Sequence, residues 1–267
     1  MTEGSEVLES LEDGVLTITL NRPDDMNGLN APLMRRLAEA TLRASQDRDV
    51  GCVVLTGAGK AFCVGADMKA VAKGRADVEA AKAASADTEK PKRRITTREE
   101  RAAWIRRCGE ASRLLHEMPK PTIAMINGGC AGAGMSIAGA CDLRIAGEAA
   151  RFSTAFAKAG ISGDYGGSYF WTRILGTAKA RELYFLAEKF DAAQALAMGV
   201  VSAVHADDQL AQKTMDVARR LAAGAASTFS YMKRNLNAAE NGRLEDILEM
   251  EALGVVLSRE AYQAARS

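Results

Sequence analysis

Histidine is scarce in this chain: His116 and His205 are the only two in 267 residues. The five cysteines (Cys52, Cys63, Cys108, Cys130 and Cys141) form no Cys-x-x-Cys pair. Too few imidazoles and no ligand-like cysteine spacing predict no metal site, and an odd set of scattered thiols predicts a reducing compartment. There is no apolar run of roughly 18 residues, so no membrane span is expected. The first residues, Met1 to Glu6, supply neither a basic region nor an apolar stretch, so no secretory signal is expected and the cytoplasm is. Charge of one sign is also missing: 35 Lys and Arg balance 34 Asp and Glu. That balance gives no electrostatic case for nucleic acid or an acidic membrane as the main partner.

What the chain has is ordinary globular composition, 48% hydrophobic and 26% charged, in alternating strand-like and helix-like stretches. Val15–Leu20, Gly51–Thr56, Pro121–Ile126, Asp142–Ala146, Arg151–Ser153 and Val200–Val204 read as strands. Helical spacing predicts Pro32–Ser45, with proline in its first turn, and Arg98–Met118, ended by Pro119 and Pro121. It also predicts Ala133–Gly139, Ser168–Leu175, Ala178–Leu186 and Asp191–Met198. Asp191 reads as an N-cap and Gly199 as a stop. Asp67–Val71 is expected to open a short helix. Residues 74–97 offer few large apolar side chains, which predicts a mobile or partly helical excursion, and carry the basic run Lys90–Arg94, either a contact for phosphates or a solvated face. The βα alternation followed by helices argues for an α/β core with a helical tail.

Two glycine-punctuated turns stand out. One is Thr56-Gly-Ala-Gly-Lys-Ala-Phe-Cys-Val-Gly-Ala-Asp-Met68, the other Ile126-Asn-Gly-Gly-Cys-Ala-Gly-Ala-Gly-Met135. Each follows a β-branched run and leads toward a helix. Small residues there let a ligand approach the backbone. A helix start leaves N–H groups unpaired and pointing at one spot, and two such donors on one carbonyl oxygen make an oxyanion hole. With Leu20-Asn-Arg-Pro-Asp-Asp-Met-Asn-Gly-Leu-Asn30 before them, and Ala159-Gly-Ile-Ser-Gly-Asp-Tyr-Gly-Gly-Ser168 and Arg173-Ile-Leu-Gly176 after them, the turns form an ordered set over about 160 residues. Any one motif alone is weak; the ordered set resembles the crotonase (enoyl-CoA hydratase/isomerase) superfamily.

The resemblance implies a spiral of ββα turns over residues 1–200 holding an acyl-CoA site. It implies a helical oligomerisation segment over 201–267, in a homotrimer or dimer of trimers. It implies an acyl-CoA thioester as substrate, with coenzyme A belonging to the substrate and no separate cofactor. By motif position, the N–H groups of Ala66 and Ala133 hold the thioester oxygen; the family has glycine more often at the second position, and a backbone donor survives that change if φ stays negative. Asp67, Met68, Gly132, Met26, Gly28 and Lys60 line the substrate site, with Ser136 and Tyr165 as side-chain donors. Lysine is frequent in the family at the position of Met26, so Lys60 and Arg22 are the alternative cations for coenzyme A phosphates. Asp67 is expected to stabilise the helix start beside Ala66.

Two hydratase glutamates of the family fall at Ser136 and Phe156, so both are missing. Asp164 occupies the place where isomerase and dehalogenase branches keep a catalytic aspartate. The resemblance therefore favours double-bond isomerisation with Asp164 as proton shuttle. Hydration by Asp164 alone, other enolate chemistry and a catalytically weak thioester-binding protein remain as alternatives. A capping role for Asp164 at the helix near Gly166 or Ser168 is the alternative for that residue. Cys63 and Cys130 are expected as small buried side chains rather than nucleophiles. Trp104, Ile105 and Leu114 either line the acyl pocket or pack on the core.

Overall fold

The computed structural model describes residues 5–67 and 97–264. Met68, the helix expected through Val71, and nearly all of the 74–97 stretch with its Lys90–Arg94 run lie outside the described residues.

The chain opens with an antiparallel hairpin, β1 (Val7–Glu12) and β2 (Val15–Leu20), turned by Asp13 and Gly14 at positive φ. Helix α1 (Ala31–Gln46) follows. Asn30 caps it, its side chain accepting from Leu33 N–H at 2.9 Å, and Leu33, Leu37, Ala40, Thr41 and Ala44 form its buried stripe. The core is then built in repeated turns, each giving one strand to each of two sheets. β3 (Cys52–Gly57) and β4 (Ala61–Cys63) make one pair; β5 (Thr122–Ile126) and β6 (Gly129–Ala131) make the next; β7 (Leu143–Gly147) and β8 (Arg151–Ser153) make the third. The larger sheet runs β1-β2-β3-β5-β7-β10, where β10 is Ala203–His205; the smaller runs β4-β6-β8-β9, where β9 is Phe190–Asp191. This is the α/β spiral that the motifs imply.

Between the sheets and their helices lies one large apolar core, with Phe62, Phe152, Leu33, Leu37 and Trp171 all but fully buried. β3 is buried along its whole length, as a central parallel strand covered on both faces must be.

The helix expected over Arg98–Met118 is two helices, α2 (Arg98–Cys108) and α3 (Glu110–Glu117), divided at Gly109. Their burial explains the break. α2 is charged, exposed except at the half-buried Glu100 and the buried Cys108, and held at its start by a reciprocal Thr97–Glu100 capping box. α3 turns Ala111, Ser112, Leu114 and Leu115 into the core. Beyond α4 (Ala133–Ala140) and a single-turn helix α5 (Phe156–Ala159), the two predicted segments Ser168–Leu175 and Ala178–Leu186 are halves of α6 (Gly167–Leu186), broken at Gly176 with φ 77°. α7 (Ala192–Met198) has the predicted Asp191 cap, extended to a capping box with Gln194, and stops at Gly199 with φ 78°. The last strand starts later than predicted because the N–H groups of Val200 and Val201 still bond back to Ala195.

β10 completes the larger sheet beside β7, and α8 (Leu210–Ala222) covers it with Leu210 and Ala218 in a second, smaller core. The expected boundary at 201 thus falls just ahead of β10. α9 (Ala226–Ala239) and α10 (Leu244–Ala264) then form a helical hairpin. α9 is fastened by Lys233, whose Nζ donates to the carbonyls of Leu115 and Lys120 and to Asp142 Oδ2 at 2.8–3.0 Å. No helix among the described residues is long and apolar enough to cross a membrane.

Candidate active site

The two glycine turns meet because their strands are neighbours. β3 pairs with β5 and β4 with β6, both in parallel, so the turn after each strand emerges at the same end of the molecule. The contact is backbone on backbone. A Cβ added to Gly65 would lie 3.0 Å from the Ala131 carbonyl oxygen and 3.2 Å from Ala133 N, and one added to Gly134 would lie 2.1 Å from the Cys63 carbonyl oxygen. Gly65 also holds φ 88°, which a side chain resists. The sequence therefore needs glycine there to seat α4 against the end of β4.

That seating brings the Gly65–Ala66 turn against the start of α4 at Ala133. Ala66 sits on a one-residue bridge with Leu29, framed by Leu29 N–H to Gly65 O at 2.7 Å and Asp67 N–H to Leu29 O at 3.1 Å. Ala66 is exposed. Ala133 is the first residue of α4, behind Gly132 at φ 53°. Neither Ala66 N–H nor Ala133 N–H bonds an acceptor among the described residues. Ala133 keeps a negative φ, so its methyl group is accommodated. An unpaired N–H in a helix's first turn carries part of the positive end of the helix dipole.

The Leu20–Asn30 segment supports this arrangement from below. Asn27 is fully buried at φ 55°; its Oδ1 accepts from Arg22 N–H at 2.8 Å, and its Nδ2 donates to the carbonyls of Ala58 and Ala61 at 2.9 and 2.7 Å. Asn127 reaches the same turn from the other side, donating to the carbonyls of Gly57 and Gly59. Arg22 is not a free cation for phosphates. Its guanidinium bonds Asp25 Oδ2 at 2.6 Å, Asp67 Oδ2 at 2.8 Å and the Gly28 carbonyl. Asp67 is 8% exposed and makes its ion pair with Arg22. Met26, exposed at φ 53°, accepts from Val64 N–H through its carbonyl at 3.3 Å. Gly28 is buried against Asp67, whose Cα would be 3.3 Å from an added Cβ. Lys60 is exposed at the rim.

The segment 160–167 brings a carboxyl to the same place. The Phe156 ring is the spacer. Added Cβ atoms on Gly132 and on Gly163 would lie 3.8 and 3.7 Å from it, so the second donor turn and the loop carrying Asp164 flank one aromatic ring. Asp164 does not cap α6: the cap residue is Gly166, with no side-chain bond, and it is the main-chain carbonyl of Asp164 that accepts from Gly167 N–H at 3.1 Å. One carboxylate oxygen, Oδ1, is buried without a partner among the described residues. Burial alone pushes the Asp164 carboxyl up from 3.8 to about 6.

Ser136 is fully buried on α4, with its Oγ 3.4 Å from the Gly132 carbonyl. Tyr165 belongs to the apolar core at φ 51°, its hydroxyl buried without a partner among the described residues. Tyr184, which no motif singles out, places its ring against Gly163 and Phe156 and its hydroxyl beside Gly167 and Ser136. It lies twenty residues past Asp164 on the far half of α6, where a tyrosine reads as ordinary packing.

Elsewhere the residues are structural. All five cysteines are buried, and burial pushes Cys63 to about 12 and Cys130 well above its ordinary value, which leaves both as inert thiols. The His116 ring packs on Phe170 and Tyr169, and its Nε2 is 3.7 Å from Glu240. His205 ends β10. Trp104 and Leu114 border a groove between α1 and α2, while Ile105 is exposed. Among the described residues no group of three metal-ligating side chains converges.

Comparison with known proteins agrees with this geometry. The family model described as Enoyl-CoA hydratase/isomerase matches residues 10–100 and 83–256. The chain is 33% identical over 245 residues to the 1,2-epoxyphenylacetyl-CoA isomerase of Escherichia coli, covering 92% of this chain and 87% of the relative. It is 32% identical to the trans-2-decenoyl-[acyl-carrier-protein] isomerase of Streptococcus mutans, covering 85% and 80%. A crystal structure of a Mycobacterium abscessus protein described as an enoyl-CoA hydratase/isomerase superimposes with a TM-score of 0.81 at 32% identity, covering 93% of this chain and 89% of that one. Fold and relatives together define an acyl-CoA-processing enzyme of the crotonase type. The chain belongs to the enoyl-CoA hydratase/isomerase family.

Proposed function

We propose that the enzyme moves a double bond along the acyl chain of an enoyl-CoA thioester. The observation that carries this reading is a partly buried carboxyl, Asp164, on a loop that flanks the same aromatic ring as the second unpaired N–H turn, with a hydroxyl at Ser136 and an aromatic ring at Phe156 where the family's glutamates would fall. The N–H groups of Ala66 and Ala133 hold the thioester oxygen. As a proton leaves Cα of a 3-enoyl chain, or Cγ of a 2-enoyl chain in reverse, negative charge gathers on that oxygen, where the two donors and the start of α4 stabilise it. Asp164 takes the proton at one carbon and returns it at the other. A carboxyl raised to about 6 is still mostly ionised at neutral pH, and is a stronger base than an ordinary aspartate. Asp67 and Gly28 hold the first donor turn in place, Lys60 is an exposed cation available to the phosphates of the coenzyme, and the only coenzyme required is the one the substrate carries.

We also propose a homotrimer or a dimer of trimers. Leu244, Leu248, Leu253, Val255 and Val256 on α10, with Met232 and Leu236 on α9, are apolar and exposed in the single chain, a face that a second copy would cover.

Product analysis tests the reaction. Given trans-2-decenoyl-CoA and a 3-decenoyl-CoA separately, the enzyme interconverts them without change of mass. A product heavier by one water molecule identifies hydration instead.

A further inference from the structure

Behind the Asp164 loop is a place that water cannot reach. The Tyr184 ring lies 3.3 Å from where a Cβ on Gly163 would stand, and its centroid is 5.6 Å from that of Phe156. Its hydroxyl reaches the other end of the loop. A Cβ on Gly167 would fall 2.5 Å from the Tyr184 hydroxyl oxygen and 2.2 Å from Ser136 Oγ, so only glycine admits both hydroxyls at that point. Ser136 is wholly buried. The Tyr184 hydroxyl has no accessible surface to speak of and lies against Ser136. A water needs a void of at least about one probe sphere, and an oxygen with no accessible surface borders none.

We propose that Tyr184 is a specificity-determining residue. Its phenol fills the corner between Ser136 and the Asp164 loop, and so directs the bound thioester to proton return rather than to water addition. The inference rests on the isomerase reading of the same site. With the ring removed, a water fits between Ser136 and the Asp164 loop. Its oxygen then bonds to Cβ of a 2-enoyl thioester as one of its protons passes to the Asp164 carboxylate. The alkene pair moves into the thioester enolate, which takes a proton at Cα from Asp164; the sum is addition of one water, with the carboxylate regenerated.

The test feeds trans-2-decenoyl-CoA to wild type, Tyr184→Ala, Tyr184→Phe and Tyr184→Ala with Asp164→Asn, in water labelled with heavy oxygen. Mass spectrometry reads the label in 3-hydroxyacyl-CoA. Wild type and Tyr184→Phe are expected to give the isomer alone. Tyr184→Ala is expected to give labelled product roughly a hundredfold above the enzyme-free background, the low end of what a positioned base contributes, and the added Asp164→Asn to remove it. If Tyr184→Ala fails to fold, Tyr184→Leu opens the same corner with a smaller loss of packing and is expected to give the same label. A folded Tyr184→Ala or Tyr184→Leu that exchanges the Cα proton yet takes up no more label than wild type overturns the inference alone. Label already taken up by wild type overturns the isomerase reading, and the inference with it.

Discussion

Gly65 and Ala133 meet backbone to backbone: a methyl group on Gly65 would stand 3.2 Å from Ala133 N, whose N–H bonds no acceptor among the described residues. The two residues are 68 positions apart, and their contact sets the spacing of the donor pair. Gly65→Ala therefore displaces the second donor from the first. At φ 88° the added side chain is also strained. Turnover is expected to fall about 10²–10³-fold, the effect of losing one such donor, with only a modest drop in Tm. Full activity in a folded Gly65→Ala variant would show that the two turns do not act together.

Asp164 predicts a pH dependence with a definite sign. As a base it must be ionised, so isomerisation is expected to rise with pH through about 6 and level off above. Stability runs the other way. The folded carboxyl holds its proton more tightly than an unfolded aspartate does, so wild-type stability falls as pH rises from about 4 to about 6 and is flat beyond. Asp164→Asn removes that term. The variant is expected to melt above wild type at pH 7–8, with the gap closing toward pH 4. Thermal melts of both proteins across that range check it.

Arg22 joins Asp25, Asp67 and the Gly28 carbonyl under the first donor turn. Arg22→Ala takes the guanidinium from a carboxylate that is 8% exposed, a change that costs about 3 kcal/mol or more when a buried pair is broken. It also loosens the bridge between Leu29 and Ala66. Both a lower Tm and a higher KM for the thioester are expected. A change in KM with unaltered stability would instead mean that Arg22 meets the coenzyme directly.

Lys233 fastens α9 to the core through two carbonyls and Asp142. Lys233→Ala leaves Asp142 without this cation and the Lys120 carbonyl without this donor, while Thr122 still bonds Asp142 and Leu115, and is expected to cost about 1–3 kcal/mol. Hydrogen exchange is expected to quicken in α9 and α10 first, because the hairpin rests on the body chiefly at its α9 end.

The residues differ in how legible they were. Asp191, Gly199 and the α1 stripe act through neighbours three or four positions away, so spacing alone located them. The short strands β4 and β6 have three residues each and no alternation to reveal them; they exist because β3 and β5 deliver them side by side. Ala66, Ala133 and Asp164 were named through the motif resemblance, since an N–H donor has no side-chain signature. Arg22 shows the opposite case. As a lone arginine in a turn it read as a free cation, and only the fold brings Asp67, 45 residues on, against it. Tyr184 carried no local signal at all, and its place beside Ser136 follows from how α6 crosses α4.

The role given to Asp164 is tested most directly by proton NMR of a 3-enoyl-CoA and a trans-2-enoyl-CoA in deuterium oxide, with wild type and Asp164→Asn. The account predicts that wild type interconverts the two alkenes and places deuterium at Cα and Cγ. It predicts that Asp164→Asn, folded and still binding the thioester, does neither. Interconversion that persists in Asp164→Asn would contradict the account, because the proton would then be travelling through another group.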